Sequence, residues 1–143
     1  MVRTCIFLAV SIWLCQTAIA QEAEMKRIMQ VANNYSHQNT ICAAYHYLMA
    51  VCLAKDRPKD GLAAKFKTIG DDFIDRSVKL GQIAEVSPKA IDARMQLATQ
   101  EMMEDVENNC ANTSVVTLKH AKKCTDLYNN GAKYLQDALG PAK

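Results

Sequence analysis

Apolar residues recur every three or four positions along most of this chain, and no run of β-branched residues alternates with polar ones for long. That period belongs to helices that bury one stripe. Met25, Ile28, Met29 and Ala32 begin such a stripe. Asn33, Asn34, Ser36, His37, Gln38 and Asn39 dilute it, and Ile41, Tyr45, Leu48 and Cys52 resume it. The spacing predicts a first helix over about 22–55, either continuous or broken near 36–40. In the broken form Ser36 or Thr40 would cap the second piece. Arg57-Pro58 ends the segment, because the residue before proline disfavours helical dihedrals.

Asp60 is placed to cap a second helix over about 61–84. Leu62, Phe66, Ile69, Phe73, Ser77 and Leu80 lie on one face of it. Gly70 interrupts that helix at a cost of ~1 kcal/mol relative to alanine, either through simple tolerance or to admit a close helix contact. Ser87-Pro88 is the sharpest start signal, with serine suited to the cap and proline to the first helical position. The third helix is expected over 88–108, burying Ile91, Met95, Ala98, Met102 and Val106, and Asn108-Asn109 ends it. Ser114 is expected to cap a fourth over 115–130, with Val116, Leu118, Ala121, Leu127 and Tyr128 apolar. Asn130-Gly131 reads as its stop, and a short turn through Tyr134, Leu135 and Leu139 then precedes Gly140-Pro141.

Short connections between long amphipathic helices favour antiparallel neighbours. The expected fold is all-α, a small up-down bundle of about four helices. Charge supports that order. Glu101, Glu104, Asp105 and Glu107 crowd the end of the third helix, against its own dipole, and Lys119, Lys122 and Lys123 lie on the fourth. An antiparallel hairpin sets the two clusters face to face.

Residues 1–20 read differently. Arg3 supplies a short positive region, an uncharged apolar stretch follows, and Ala18-Ile19-Ala20 provides the small residues of a cleavage site before Gln21. This is the pattern of a secretory signal, and the apolar run is too short for a spanning helix. Leu14 before Cys15 stands where a lipidation signal wants a small residue. The expected mature chain is one helical domain over 21–143, without a membrane span, secreted or periplasmic. Removal of Arg3 turns 17 basic residues into 16, against 15 acidic ones. That balance exerts no general pull toward nucleic acid or acidic membranes.

Four of the six cysteines remain after residue 20: Cys42, Cys52, Cys110 and Cys124. An even number in an exported domain implies disulfides. Cys42 and Cys52 sit on one predicted helix, ~15 Å apart by helical rise, well beyond the Cα separation of ~4.4–6.8 Å that a disulfide allows. In the up-down order, Cys52 and Cys110 fall at the same end of the bundle. Ten residues of descent on each helix then bring Cys42 to Cys124. The expected bonds are Cys42–Cys124 and Cys52–Cys110, both structural, since no C-x-x-C occurs among these four.

Little in the sequence points to catalysis. His37, His46 and His120 show no metal-ligand spacing, and there is no nucleophile elbow or phosphate-binding glycine loop. No cofactor, metal site or catalytic residue is implied. Met25, Met29, Met95 and Met102 fall on predicted core faces, where methionine fills gaps. Asn34-Tyr35-Ser36 and Asn112-Thr113-Ser114 match glycosylation sequons, which matter only in a eukaryotic secretory host.

The candidate working surface is Asn33–Tyr47 on the first helix, with Tyr35, Tyr45, His46 and Tyr47 as its binding residues. Tyrosine joins a large apolar body to a polar tip, a combination enriched at interfaces. At ~100° per residue, Tyr45, His46 and Tyr47 span ~200° of a helix, so at least one must leave a one-sided core. The function expected is a non-enzymatic binding module for an unknown protein partner. The alternatives are a carrier of a small apolar ligand in the bundle interior and, last, an enzyme.

Overall fold

The structure is a computed structural model, described for residues 3–107 and 109–140, with side chains from residue 20 onward. The side chains read above as an export signal therefore lie outside the described residues, as do Asn108 and Pro141. Among the described residues there are four helices: α1 (Arg3–Asp56), α2 (Leu62–Ile83), α3 (Pro88–Asp105) and α4 (Thr113–Leu139). No strand occurs among the described residues, and no helix there is long and apolar enough to cross a membrane.

The helices run up, down, up and down. Ser36 of α1 meets Ser77 of α2 while Tyr47 meets Asp71, so α2 descends along α1. Asn33 bonds Arg94, and Ile41 shares a cleft with Met102, so α3 climbs beside α1. Disulfides join Cys52 to Cys110 and Cys42 to Cys124, with Cα separations of 5.5 and 5.4 Å, so α4 descends again. These are the bonds expected from helical rise. They suit an oxidising compartment outside the cytoplasm.

The four helices are not equal members. α1 is the axis, and α2, α3 and α4 each pack against it. Cys42, Ala43, Ala44, Tyr45 and His46 are consecutive and all buried. Five successive residues cover the whole circumference of a helix. α1 therefore has no solvent face there, unlike a surface helix with one apolar stripe.

α1 is continuous, so the alternative of a break near 36–40 is corrected. The polar side chains there serve a contact instead of a cap. Ser36 Oγ donates to the Ser77 carbonyl at 2.9 Å, and Ser77 Oγ returns a bond to the Ser36 carbonyl at 3.0 Å. Thr40 Oγ1 lies 2.7 Å from Ser77 Oγ. All three residues are fully buried, and each hydroxyl is satisfied, as buried polar groups require. Glycine brings α2 this close. A Cβ on Gly70 would lie 3.0 Å from Tyr47 Cε1 of α1, and one on Gly81 would lie 3.6 Å from Ser36 Oγ of α1 and 2.6 Å from Ile91 Cδ1 of α3. Gly70 thus serves close contact.

The start signal of α3 holds, while at α2 the cap position is taken by Gly61 at φ 72° and Asp60 stands one residue before it. Asp60 Oδ1 accepts from the Leu62 amide at 2.9 Å, and Ser87 Oγ accepts from the Ala90 amide at 3.2 Å. Three boundaries shift. α3 stops at Asp105, three residues before the expected end, as the chain turns through Glu107 at φ 55°. α4 starts at Thr113 behind Asn112, which places Ser114 in its first turn and not at its cap. α4 also runs through Asn130-Gly131 to Leu139 and ends at Gly140, with φ 74°. The extension has a partner to support it. Arg27 of α1 donates to the Ala138 carbonyl at 2.9 Å and also to the Leu139 carbonyl. These are carbonyls that a helix C-terminus leaves unpaired, and Glu24 holds the guanidinium in place at 2.7 Å. The expected α3–α4 charge contact is made by Lys119, 2.6 Å from Asp105, while Lys122 turns to Asp126 on its own helix at 3.8 Å.

Candidate binding site

The four tyrosine and histidine candidates do not form one surface: Tyr45 and His46 meet in the core, while Tyr35 and Tyr47 lie apart from them. Tyr45 and His46 belong to the core, 4% and 8% exposed. His46 Nδ1 donates to the Cys42 carbonyl at 2.7 Å, and the ring lies 5.4 Å from Phe66 and 5.3 Å from Phe73. The Tyr45 ring meets His46 edge-on at 4.9 Å and also lies 6.5 Å from Phe66 and 6.1 Å from the His120 ring. The ~200° span of Tyr45–Tyr47 is accommodated because α1 is surrounded. Tyr47 is half-buried against Gly70, and its hydroxyl donates to Asp71 Oδ1 at 2.7 Å. Burial and that acidic acceptor push the Tyr47 hydroxyl up to about 12.

Burial also lowers the His46 pKa, against the opposing pull of its bond to Cys42. His120 is lowered too, by burial first and then by Lys119. Both imidazoles are therefore neutral in the fold where an unfolded chain, with pKa near ~6.5, begins to bind protons. Their contribution to stability is full above that unfolded value and is lost as pH falls through it toward the lowered folded values. Urea midpoints should therefore drop between pH 7.5 and 5. His46→Gln should show a shallower drop than the native chain over the same range. Parallel curves for the two proteins would show that His46 does not carry the effect.

Tyr35 is the one candidate at an opening. It is half-buried on α1 and forms a wall shared by two clefts. The first, about 440 Å³, lies between α1 and α4 and includes Gln38, Leu118, Lys122, Lys123 and Tyr134. The second, about 390 Å³, lies between α1, α2 and the second half of α4. Asn39, Leu80, Leu127, Tyr128 and Leu135 line it, with Arg76 at its edge. Leu127, like Tyr35, borders both clefts. A third, acidic cleft of about 410 Å³ between α3 and α4 holds Glu101, Glu104, Asp105 and His120.

Arg76 is already engaged. Its guanidinium lies 4.8 Å from the centroid of the Tyr128 ring and donates to the Tyr128 carbonyl at 3.2 Å. The Tyr128 hydroxyl in turn donates to Asp72 at 2.8 Å. Asn39 is 3% exposed; its Nδ2 donates to the Tyr35 carbonyl at 2.7 Å. Its Oδ1 accepts no hydrogen bond from the protein.

Sequence reasoning held Asn39 within the expected Asn33–Tyr47 surface without singling it out, and it missed Arg76, Leu127 and Leu135 as lining residues. A signal for them existed. Leu127, Gly131, Leu135 and Leu139 step by four, one continuous helical face, but a stop at Gly131 hides it. Compared with family models, curated proteins and solved structures, the chain matches none.

Proposed function

We propose that this protein is an exported, non-catalytic binding module that works through the seam between α1 and α4. The observation that carries the reading is the shared wall: Tyr35 and Leu127 stand between two clefts of about 440 and 390 Å³. Clefts of this size suit small ligands and anchor side chains of a partner. The wall is held on a helix packed on several sides, and the Cys42–Cys124 bond ties that helix to α4 close by. A binding surface fixed in advance loses less ordering entropy on association. Export is supported by the pattern of residues 1–20 and by the two disulfides.

Two readouts test this on the full chain expressed in an exporting host. Intact mass should place the mature N-terminus at Gln21. The oxidised protein should bind N-phenyl-1-naphthylamine, with fluorescence enhancement and blue shift. Tyr35→Ala should weaken that binding by about 10-fold, the loss of one anchor contact, while Tm stays within ~5 °C. Retention of residues 1–20 would sink the export reading. Dye binding unchanged in Tyr35→Ala would sink the seam.

A second reading, a carrier of a small apolar ligand, is favoured by the leucine-rich lining of the 390 Å³ cleft. That cleft opens at the surface between helices, not within a hollow core.

A further inference from the structure

We propose that the cleft between α1, α2 and the second half of α4 binds an elongated apolar molecule that carries a hydrogen-bond donor, and that the donor is received by Asn39 Oδ1. The inference rests on the binding-module reading and names the ligand class.

The cleft is held open by construction. α4 is tied to α1 at two places, by the Cys42–Cys124 bond and by Arg27 on the carbonyls of Ala138 and Leu139. Between those ties the residues facing the cleft include Gly131 and Ala132, which have almost no side chain to fill the space toward Leu80 and Arg76. α4 cannot swing inward to close the gap without breaking one of the ties. The remaining lining is largely apolar: Leu80, Leu127, Leu135 and the rings of Tyr35 and Tyr128.

Charge does not select the ligand here. Arg76 is bonded to the Tyr128 carbonyl and stacked on its ring, and Lys79 pairs with Asp75 at 2.6 Å. Two amides interrupt the apolar wall, Asn129, which is exposed, and Asn39, which is buried. Because Nδ2 is committed to the Tyr35 carbonyl, the amide orientation is set and the free group is the acceptor. A buried carbonyl without a donor is costly to leave unmade. A hydroxyl or N–H ligand removes that cost, whereas a hydrocarbon or an ether does not. Sites built on one buried polar group discriminate strongly against analogues that cannot pair with it.

The test uses the oxidised, processed chain and three small probes: N-phenyl-1-naphthylamine as reporter, with 1-decanol and decyl methyl ether as competitors. The alcohol should displace the dye at a concentration at least ~10-fold lower than the ether, corrected for their water–octanol partition. Asn39→Leu should abolish that preference while still binding both. Ala132→Phe, a change at an exposed helical position that fills the cleft, should weaken dye, alcohol and ether alike. Equal displacement by alcohol and ether in the native chain overturns the Asn39 assignment, as does a preference that survives Asn39→Leu. Either result leaves the binding-module reading standing if Tyr35→Ala still weakens the dye. Dye, alcohol and ether binding undiminished in Ala132→Phe places the ligand elsewhere and overturns the cleft. Absence of any binding to the native chain overturns both readings. If Asn39→Leu fails to fold, the alcohol-to-ether ratio in the native chain decides the assignment.

Discussion

Phe73→Ala is expected to lower the free energy of unfolding by about 3–5 kcal/mol, the range for deleting a fully enclosed aromatic side chain. Phe73 has no solvent exposure. Its ring lies 5.3 Å from His46 and 5.6 Å from Tyr128, with the Arg76 guanidinium 5.8 Å from its centroid. It is thus a piece of α2 that touches both the axial helix and α4. The void left by alanine would have rigid walls, since His46 is held by the Cys42 carbonyl and Tyr128 by Asp72. Domains of this kind are stable by only about 5–15 kcal/mol, so the variant should unfold at a much lower urea concentration. A loss below about 1.5 kcal/mol would mean that Tyr128 collapses into the space and that α4 is not fixed against α2.

The second large effect belongs to the disulfides. Replacing Cys42 and Cys124 together by alanine is expected to cost about 3–4 kcal/mol, from the loop entropy released in the unfolded chain. The two bonds are nested: a separation of 82 residues encloses one of 58. With the inner bond intact, the outer one closes a much smaller ring than its separation suggests. Removing both pairs should therefore cost less than the sum of what each would cost in a chain with no other crosslink. Reversible urea unfolding of the outer-pair, inner-pair and four-cysteine variants measures this. A loss under about 1 kcal/mol for the outer pair would show that packing around α1 holds the seam without a crosslink.

The elements whose ends are set locally were legible in the sequence. Ser87-Pro88 marks its helix because a cap acts within three residues, and Asp60, though displaced from the cap by Gly61, still bonds the first amide of α2. The disulfides followed from helical rise together with the up-down order of the helices. What escaped was set by neighbours distant in sequence. Gly131 carries the chemistry of a stop, yet Leu135 and Leu139 continue its face and Arg27 receives the last carbonyls. The polar run 33–40 resembles a break because Ser77, which engages Ser36 and Thr40, is about 40 positions away. The burial of two candidate residues was hidden for a related reason. Tyr45 falls on the predicted buried stripe and is still counted with His46 and Tyr47 as a binding residue, because a one-sided core must release at least one of the three; α1 buries its circumference and holds Tyr45 and His46 both. Asn39 could not be picked out, because its unpaired oxygen becomes visible only when three helices are assembled around it.

The rigidity of α1 between Cys42 and Cys52 has a consequence in time. A chain made from its N-terminus presents these two thiols long before residues 110 and 124 exist. As flexible coil, a segment of ten residues closes on itself in ~10–100 ns, and an oxidant would seal the wrong ring first. Wound into helix, the same segment acts as a spacer that keeps the early thiols from meeting. Cys52 then waits for Cys110, just past the end of α3, and Cys42 for Cys124 on α4, so that the outer bond becomes a record that the last helix has docked on the first.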